Sequence, residues 1–233
     1  MKKIVDIIEV LKSTPSDINE HLQTLVNYSK ECEHVTDFGV RSALSTWSLL
    51  LHSKKIRAYD IRYDDRTEYL QRIVKEYNID FKYIIEDVLK ADIENTDLLF
   101  IDTLHCYKQL IQELNLHAVK VNKYIIIHDT MSFGSTDEVI YEHASEIVKS
   151  IDTEKKGLKN AIKDFLETDE GSNWCVHQEF FNNNGLTILK RKWKMIEIGQ
   201  YTYGSPAIIG EGNLTIGKFC SISNNVNNDI MGT

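Results

Sequence analysis

The sequence predicts an α/β protein built on a doubly wound parallel sheet. Three observations predict it. Short continuous apolar runs alternate with segments of helical period, the pattern of strands covered on both faces by crossover helices. The runs close on polar residues, namely Asp37, Asp60, Asp87, Asp102, His128 and Asp129. The first run leads through Gly39 into a helix carrying Ser45 and Thr46. A glycine at such a turn permits positive φ and close approach of a ligand to bare backbone. The helix start then offers unpaired N–H groups and partial positive charge.

At 233 residues the chain has room for one ordinary domain and an appendage. A net charge of -8 argues against a general nucleic-acid binder, which normally shows a basic face. Cys32, Cys106, Cys175 and Cys220 have no metal-type spacing and read as reduced thiols of a cytoplasmic protein. Asp6 and Glu9 interrupt the apolar N-terminus, so an amphipathic helix is expected there rather than a signal peptide. No uninterrupted apolar run approaches the roughly 18 residues of a membrane span.

In order, Ile4, Ile7, Ile8 and Leu11 have helical spacing over residues 2–12, and Pro15 ends that helix. Ser16 can cap a second helix reaching about Lys30, with Ile18, Leu22, Leu25 and Val26 on one face. The first strand is followed by a helix over Ala43–Leu51. Ile56–Ile61 is a second strand, Arg66–Tyr77 a helix and Phe81–Ile85 a third strand. Asp97–Asp102 is a fourth strand. Cys106–Val121 is a helix with Leu110, Leu114 and Val119 inward, and Lys123–His128 is a fifth strand. Residues 135–168 read as mostly helical and charged. Trp174–Phe181 and Leu186–Arg191 read as two strands joined by Asn182-Asn183-Asn184-Gly185, a strong hairpin signal.

The last stretch differs. Ile198-Gly199, Ile209-Gly210, Ile216-Gly217 and Ile222 recur at short intervals among small and polar residues, as in the rungs of a β-helix. The predicted domains are therefore N-terminal helices at 1–30, an α/β domain at 31–194 and a partial repeat segment at 195–233. Such rungs bury too little alone, so homo-oligomer formation through the tail is one expectation.

In open α/β sheets, ligands bind beyond the carboxyl ends of the strands. Carboxylates gathered there imply a cationic ligand, a metal or many donors, and S-adenosylmethionine supplies cation and donors together. Asp60 lies about 20 residues beyond the glycine loop, the spacing at which an acid meets ribose hydroxyls. Asp37 is assigned to the cofactor pocket or to bracing the turn, and Asp87 to an adenine amine or a helix cap. Asp102 and Asp129 close adjacent strands. They either share one divalent metal through oxygen ligands, or one is a general base and the other structural. His105 and His128 flank them as alternative proton acceptors. On an alternating strand, His128 and Asp129 should point to opposite faces.

With those residues in view, VTDFGVRSALSTWSLL, LLFIDTLHCYKQL and KYIIIHDT resemble the class I methyltransferases that use S-adenosylmethionine. The nearest likeness is to the group around macrocin O-methyltransferase and cephalosporin hydroxylase-type proteins, associated with sugar and polysaccharide modification. The resemblance spans roughly residues 30–190 and implies a Rossmann-like sheet ending in an antiparallel hairpin. It matches the family's glycine loop to Asp37, Gly39 and Ala43, with Ala43 in place of the last glycine. It matches the ribose acid to Asp60 and the adenine acid to Asp87. It also implies magnesium held by Asp102 and Asp129, with Thr130 where an amide often sits. The tail, TIGKFCSIS especially, resembles hexapeptide-repeat acyltransferases and implies a short left-handed β-helix.

The function expected from these readings is S-adenosylmethionine-dependent O-methyl transfer to a hydroxyl of a sugar or glycan precursor. The alternatives are a nicotinamide-dependent oxidoreductase, disfavoured by the missing GxGxxG, and a non-catalytic assembly module.

Overall fold

The computed structural model describes residues 1–142, 144–192 and 200, with four short strands at 196–198, 207–209, 214–216 and 227–229. They fall into two compact units, Met1–Arg191 and Lys192–Thr233.

The first unit is organised by a seven-stranded sheet: β1 (His34–Phe38), β2 (Lys55–Asp60), β3 (Asp80–Ile85), β4 (Thr96–Ile101), β5 (Val121–His128), β6 (Trp174–Phe180) and β7 (Leu186–Arg191). The spatial order is β3-β2-β1-β4-β5-β7-β6. The β1–β2, β2–β3, β1–β4 and β4–β5 pairs are parallel, whereas β7 runs antiparallel to both β5 and β6. The order reverses between β1 and β4, and Asp37 and Asp102 stand at that switch point.

The two faces of the sheet carry separate cores. On one, α1 (Lys2–Ser13), α2 (Leu22–Ser29), α3 (Leu44–Leu50) and α4 (Glu68–Glu76) pack Ile8, Leu25, Leu50 and Ile73 against Phe100 and Ile126. On the other, α5 (Tyr107–His117) and α7 (Leu158–Leu166) pack Leu110, Leu114, Ile162 and Phe165 against Leu99 and Ile125. Adjacent β5 residues thus serve opposite cores, as the period of two requires. Only β3 and β6, at the edges, are largely open to solvent.

Several sequence expectations need correction. Helix α5 stops at His117, and a 3-10 turn over Ala118–Lys120 rotates Val119 outward to 64% exposure. Among the described residues of 135–168 the helices are the short α6 (Glu146–Ser150) and α7, and the others are irregular. Side-chain caps replace helical bonding there: Asp137 Oδ1 accepts the N–H of Tyr107 (2.9 Å) and that of Gly157 (2.7 Å). One carboxylate thereby fixes the starts of both α5 and α7. The second helix begins only at Leu22, after a 3-10 turn over Asn19–His21.

In the second unit, Ile196–Ile198 pairs in parallel with Leu214–Ile216, and Ala207–Ile209 with Asn227–Asp229. Gly199, Gly210, Gly217 and Ile222 of the predicted rungs lie outside the described residues. No helix among the described residues is long and apolar enough to cross a membrane.

Candidate active site

The glycine loop links β1 to α3. Its first bond runs from the Gly39 N–H to the Tyr59 carbonyl of β2, 2.9 Å. Gly39 has φ +87, and Arg41 (φ 44) and Ala43 (φ 63) adopt the left-handed region despite their side chains. The sequence predicts Gly39 left bare for a ligand. In the structure the chain itself uses that space: a Cβ there would stand 1.9 Å from the backbone oxygen of Asp102.

Asp60 Oδ2 accepts the Arg41 N–H at 2.8 Å and Oδ1 accepts the Arg62 N–H at 3.1 Å. The acid at the end of β2 therefore holds the glycine loop, with carboxylate lone pairs left over for ligand hydroxyls. Asp37 is wholly buried. Its Oδ2 accepts from Thr46 Oγ1 at 2.6 Å, while Oδ1 has no partner among the described residues. Burial pushes its carboxyl up to about 7, against the Thr46 hydrogen bond. Ser45 and Thr46 are buried too. Thr46 and Asp37 thus brace the loop from beneath, and neither Ser45 nor Thr46 presents a surface to a cofactor. Asp87 takes the capping role: its Oδ1 accepts the Leu89 N–H at 3.0 Å, and Lys90 lies 3.4 Å from Oδ2.

The ends of β4 and β5 bring the remaining predicted residues together. Asp102 Oδ1 lies 3.1 Å from His105 Nε2 and 3.3 Å from His128 Nδ1. Asp129 Oδ2 lies 3.0 Å from His105 Nε2 and 3.2 Å from His128 Nδ1. His128 and Asp129 reach the same cluster, contrary to strand alternation, because Asp129 leaves β5 with φ 60. The His128 side chain is fully buried, whereas those of Asp102 and His105 keep 14% and 15% of their surface. Asp102 and His105 therefore form the open side of the cluster. His128 supports the two carboxylates from behind, which removes it from the candidate bases.

Burial alone would lower both imidazoles, but the two carboxylates overcome it and raise them far above their ordinary value. Burial would raise Asp102 and Asp129, yet the hydrogen bonds from His105 and His128 hold both below the usual carboxylate range.

Three participants escape sequence reading. Glu138 Oε2 lies 3.0 Å from His105 Nδ1 and accepts the His105 N–H at 3.2 Å, while its own N–H donates to the His105 carbonyl at 2.8 Å. Phe133 stacks on the same imidazole, centroids 5.1 Å apart. Glu113, buried on α5, accepts from Thr103 Oγ1 and Gln109 Nε2, both at 2.7 Å; burial pushes its carboxyl up to about 7. A glutamate in a charged loop and another inside an amphipathic helix carry no spacing signal.

The N-terminal segment also reaches the site. Asn183 Oδ1 accepts the Glu20 N–H at 3.1 Å, and Asn183 Nδ2 donates to the Ser16 carbonyl at 2.8 Å. His21 Nε2 lies 3.1 Å from the Asn182 carbonyl, and its ring packs edge-to-face with that of His128, centroids 5.8 Å apart. The Asn184 carbonyl in turn accepts from Met131 N at 2.8 Å, just beyond Asp129.

The magnesium expected from the resemblance does not fit this donor set. Magnesium takes oxygen ligands and keeps several waters. Here two imidazole nitrogens face both carboxylates, and Thr130, the predicted third donor, is buried with its hydroxyl 3.0 Å from Thr187 Oγ1.

No protein-family profile matches the chain. No curated protein matches it. Solved structures do. SAH-bound methyltransferase PaMTH1 of Podospora anserina aligns with TM-score 0.53 and 12% identity, over 81% of this chain and 87% of that one. A putative caffeoyl-CoA O-methyltransferase of Staphylococcus aureus aligns with TM-score 0.53 and 12% identity, over 82% and 98%. N-methyltransferase NodS of Bradyrhizobium japonicum WM9 aligns with TM-score 0.51 and 11% identity, over 76% and 97%. At such identities the likeness is one of architecture, and the chain has the Rossmann-like α/β fold found in these S-adenosylmethionine-dependent methyltransferases.

Proposed function

We propose that the chain transfers a methyl group from S-adenosylmethionine to a hydroxyl, on a sugar or glycan precursor. The observation that carries this reading is the junction of the glycine loop with the acid–imidazole cluster. Gly39 packs on the Asp102 backbone, so a donor held at the loop lies beside a group able to take a proton.

The donor brings a sulfonium, an ammonium and two ribose hydroxyls. Asp60 suits the hydroxyls, since its oxygens have lone pairs to spare beyond the Arg41 and Arg62 amides. The acceptor oxygen attacks the methyl carbon in line with the departing sulfur, S-adenosylhomocysteine leaves, and the acceptor proton passes to the Asp102 carboxylate, which His105 orients. Glu138 fixes the His105 ring from its far nitrogen, and that alignment contributes to rate as well as the proton transfer itself.

Calorimetric titration of S-adenosylhomocysteine and NADH, side by side, tests the donor. Binding of the first alone supports the reading, and binding of NADH alone overturns it in favour of the oxidoreductase. Asp60→Ala should weaken S-adenosylhomocysteine binding about tenfold or more, the loss expected of hydrogen bonds to a charged group. A mass-spectrometric screen against sugar nucleotides then tests the acceptor.

For residues 195–233 we propose a partial hexapeptide-repeat segment. The parallel pairing of Ile196–Ile198 with Leu214–Ile216 and of Ala207–Ile209 with Asn227–Asp229 supports it, being the register of successive coils. Light scattering of the chain with and without 195–233 tests whether the segment drives assembly.

A further inference from the structure

We propose that Glu113 is a positioning residue for the candidate site: through the Thr103 hydroxyl it holds the turn that presents Asp102 and His105. Its effect on rate rests on the methyl-transfer reading, whereas the anchoring rests on geometry alone.

The turn leaves β4 at Asp102 and enters α5 at Tyr107. Its backbone is fixed at the two ends, where Asp102 N donates to the Phe38 carbonyl at 2.9 Å and Cys106 N to the Leu104 carbonyl at 2.8 Å. Among the described residues, neither the Thr103 nor the Leu104 N–H donates to another backbone group. Side chains hold the middle instead. His105 is held by Glu138, which comes from an irregular loop. Thr103 Oγ1 donates to Glu113 Oε1 at 2.7 Å. Glu113 stands on α5, whose Leu110 and Leu114 are set in the core. A carboxyl mounted on a packed helix is a stiffer reference point than one on a loop.

The bonding of Glu113 supports this role independently. The side chain is wholly buried, and Oε1 takes both of its hydrogen bonds, the second from Gln109 Nε2 at 2.7 Å. Oε2 is buried with no partner among the described residues. A buried carboxyl with one bare oxygen destabilises the fold, and an apolar side chain of similar size would avoid that loss. Burial favours the protonated acid, so no strong charge attraction offsets it. What the arrangement provides is direction. Gln109, one helical turn earlier, aims the carboxyl, and the carboxyl ties down the residue that follows Asp102.

The test uses the full chain with isotope-labelled histidine and compares Thr103→Val, Glu113→Leu and Glu113→Gln. Valine and leucine remove the bond, while glutamine keeps an oxygen that both donors can reach. The His105 ring signals, assigned by their loss in His105→Gln, should shift in the first two variants and stay near the wild-type position in Glu113→Gln. With S-adenosylmethionine and an acceptor from the sugar-nucleotide screen, Thr103→Val and Glu113→Leu should each lower kcat roughly 10-fold or more, the effect of a misplaced catalytic group. KM for the donor should hold, and Glu113→Gln should recover most of the loss. Thr103→Val and Glu113→Leu together should cost no more than the larger single change, since both remove one interaction. Thr103→Val keeps the shape of its side chain and carries the comparison if Glu113→Leu does not fold. The proposal is overturned if Thr103→Val, at wild-type near-UV circular dichroism, leaves the His105 signals in place. It is equally overturned if the variants lower the melting temperature and leave kcat unchanged, or if Glu113→Gln behaves as Glu113→Leu does. S-adenosylhomocysteine titrated into the wild type separates the two readings. Shifted His105 signals in a chain that binds no nucleoside sink methyl transfer alone, and nucleoside binding with unmoved His105 signals sinks the positioning role alone.

Discussion

The backbone oxygen of Asp102 occupies the position next to Gly39 that a side chain would need, 1.9 Å from a Cβ built there. The contact ties the first strand's turn to the end of β4, and thereby the loop to the acid–imidazole cluster. Gly39→Ala combines that clash with a strained φ of +87. It should cost about 3 kcal/mol or more, since the obstacle is backbone and cannot swing away. Ala43→Gly is the contrasting change. Ala43 holds a left-handed conformation at φ 63, so a glycine there should stabilise by up to about 1 kcal/mol, the relieved strain less the entropy glycine adds to the unfolded chain. Urea denaturation of both variants gives the comparison.

The sequence shows this arrangement only in part, for physical reasons. Strand ends are legible because apolar runs stop abruptly, and Asp37, Asp60, Asp102 and Asp129 stand at those stops. What each acid then does depends on partners distant along the chain. Thr46 binds Asp37, the Arg41 amide binds Asp60, and the Leu89 amide binds Asp87. The convergence of His128 with Asp129 turns on one positive φ, which no residue pattern announces for an aspartate. Glu138 reaches His105 from an irregular loop that composition alone presents as a charged helix.

Stability of the unliganded chain should peak in mildly acidic solution. Asp37 and Glu113 both have carboxyls raised to about 7 by burial. In the unfolded chain they ionise near pH 4. Between these values the folded state holds more protons, so stability falls as pH rises from about 4 to about 7. The His105 and His128 imidazoles are raised to about 10 by their carboxylates. Their contribution is complete below about 6.5 and is lost as pH rises through about 10. Asp102, lowered to about 2, contributes above its unfolded value, and that contribution disappears as pH falls through about 2. The three effects place the maximum at about pH 4, where the Asp102 contribution is complete and the decline set by Asp37 and Glu113 begins. Melting temperatures across pH 3–9 check this, and Asp37→Asn should flatten the slope between about pH 4 and 7. A maximum above pH 8 would contradict the assignment.

Asn183 joins the N-terminal segment to the hairpin turn through two hydrogen bonds, to Glu20 N at 3.1 Å and Ser16 O at 2.8 Å. Its φ of 44 is one that asparagine tolerates better than most residues. Asn183→Ala should therefore cost about 2 kcal/mol, from both lost bonds and the less tolerant backbone. Asn183→Gly removes the bonds but not the conformational ease, and should cost less than alanine does. Both variants should expose residues 14–21 to limited proteolysis, because those bonds anchor that stretch against the turn. Equal stabilities for the two variants would show that side-chain bonding, and not backbone strain, governs the junction.

The two histidines of the cluster should separate by what their loss affects. His105 keeps part of its surface and is aimed by Glu138; His128 is sealed behind the carboxylates. His105→Gln should lower kcat about 100-fold or more, because the Asp102 carboxylate that takes the proton loses its orienting partner, with little change in donor affinity. Glu138→Gln leaves the imidazole but loosens its aim, so kcat should fall less and KM for the donor should hold. His128→Gln withdraws charge from between two buried carboxylates, Asp102 and Asp129. Its main effect should be destabilisation by about 3 kcal/mol, read as a lower melting temperature, because a broken buried ion pair strands its partner. Asp102 and Asp129 retain His105 between them, which keeps the cost below that of stripping both rings. If His128→Gln instead abolished turnover at an unchanged melting temperature, the sealed imidazole would be the reacting one, and the roles assigned to the pair would have to be exchanged.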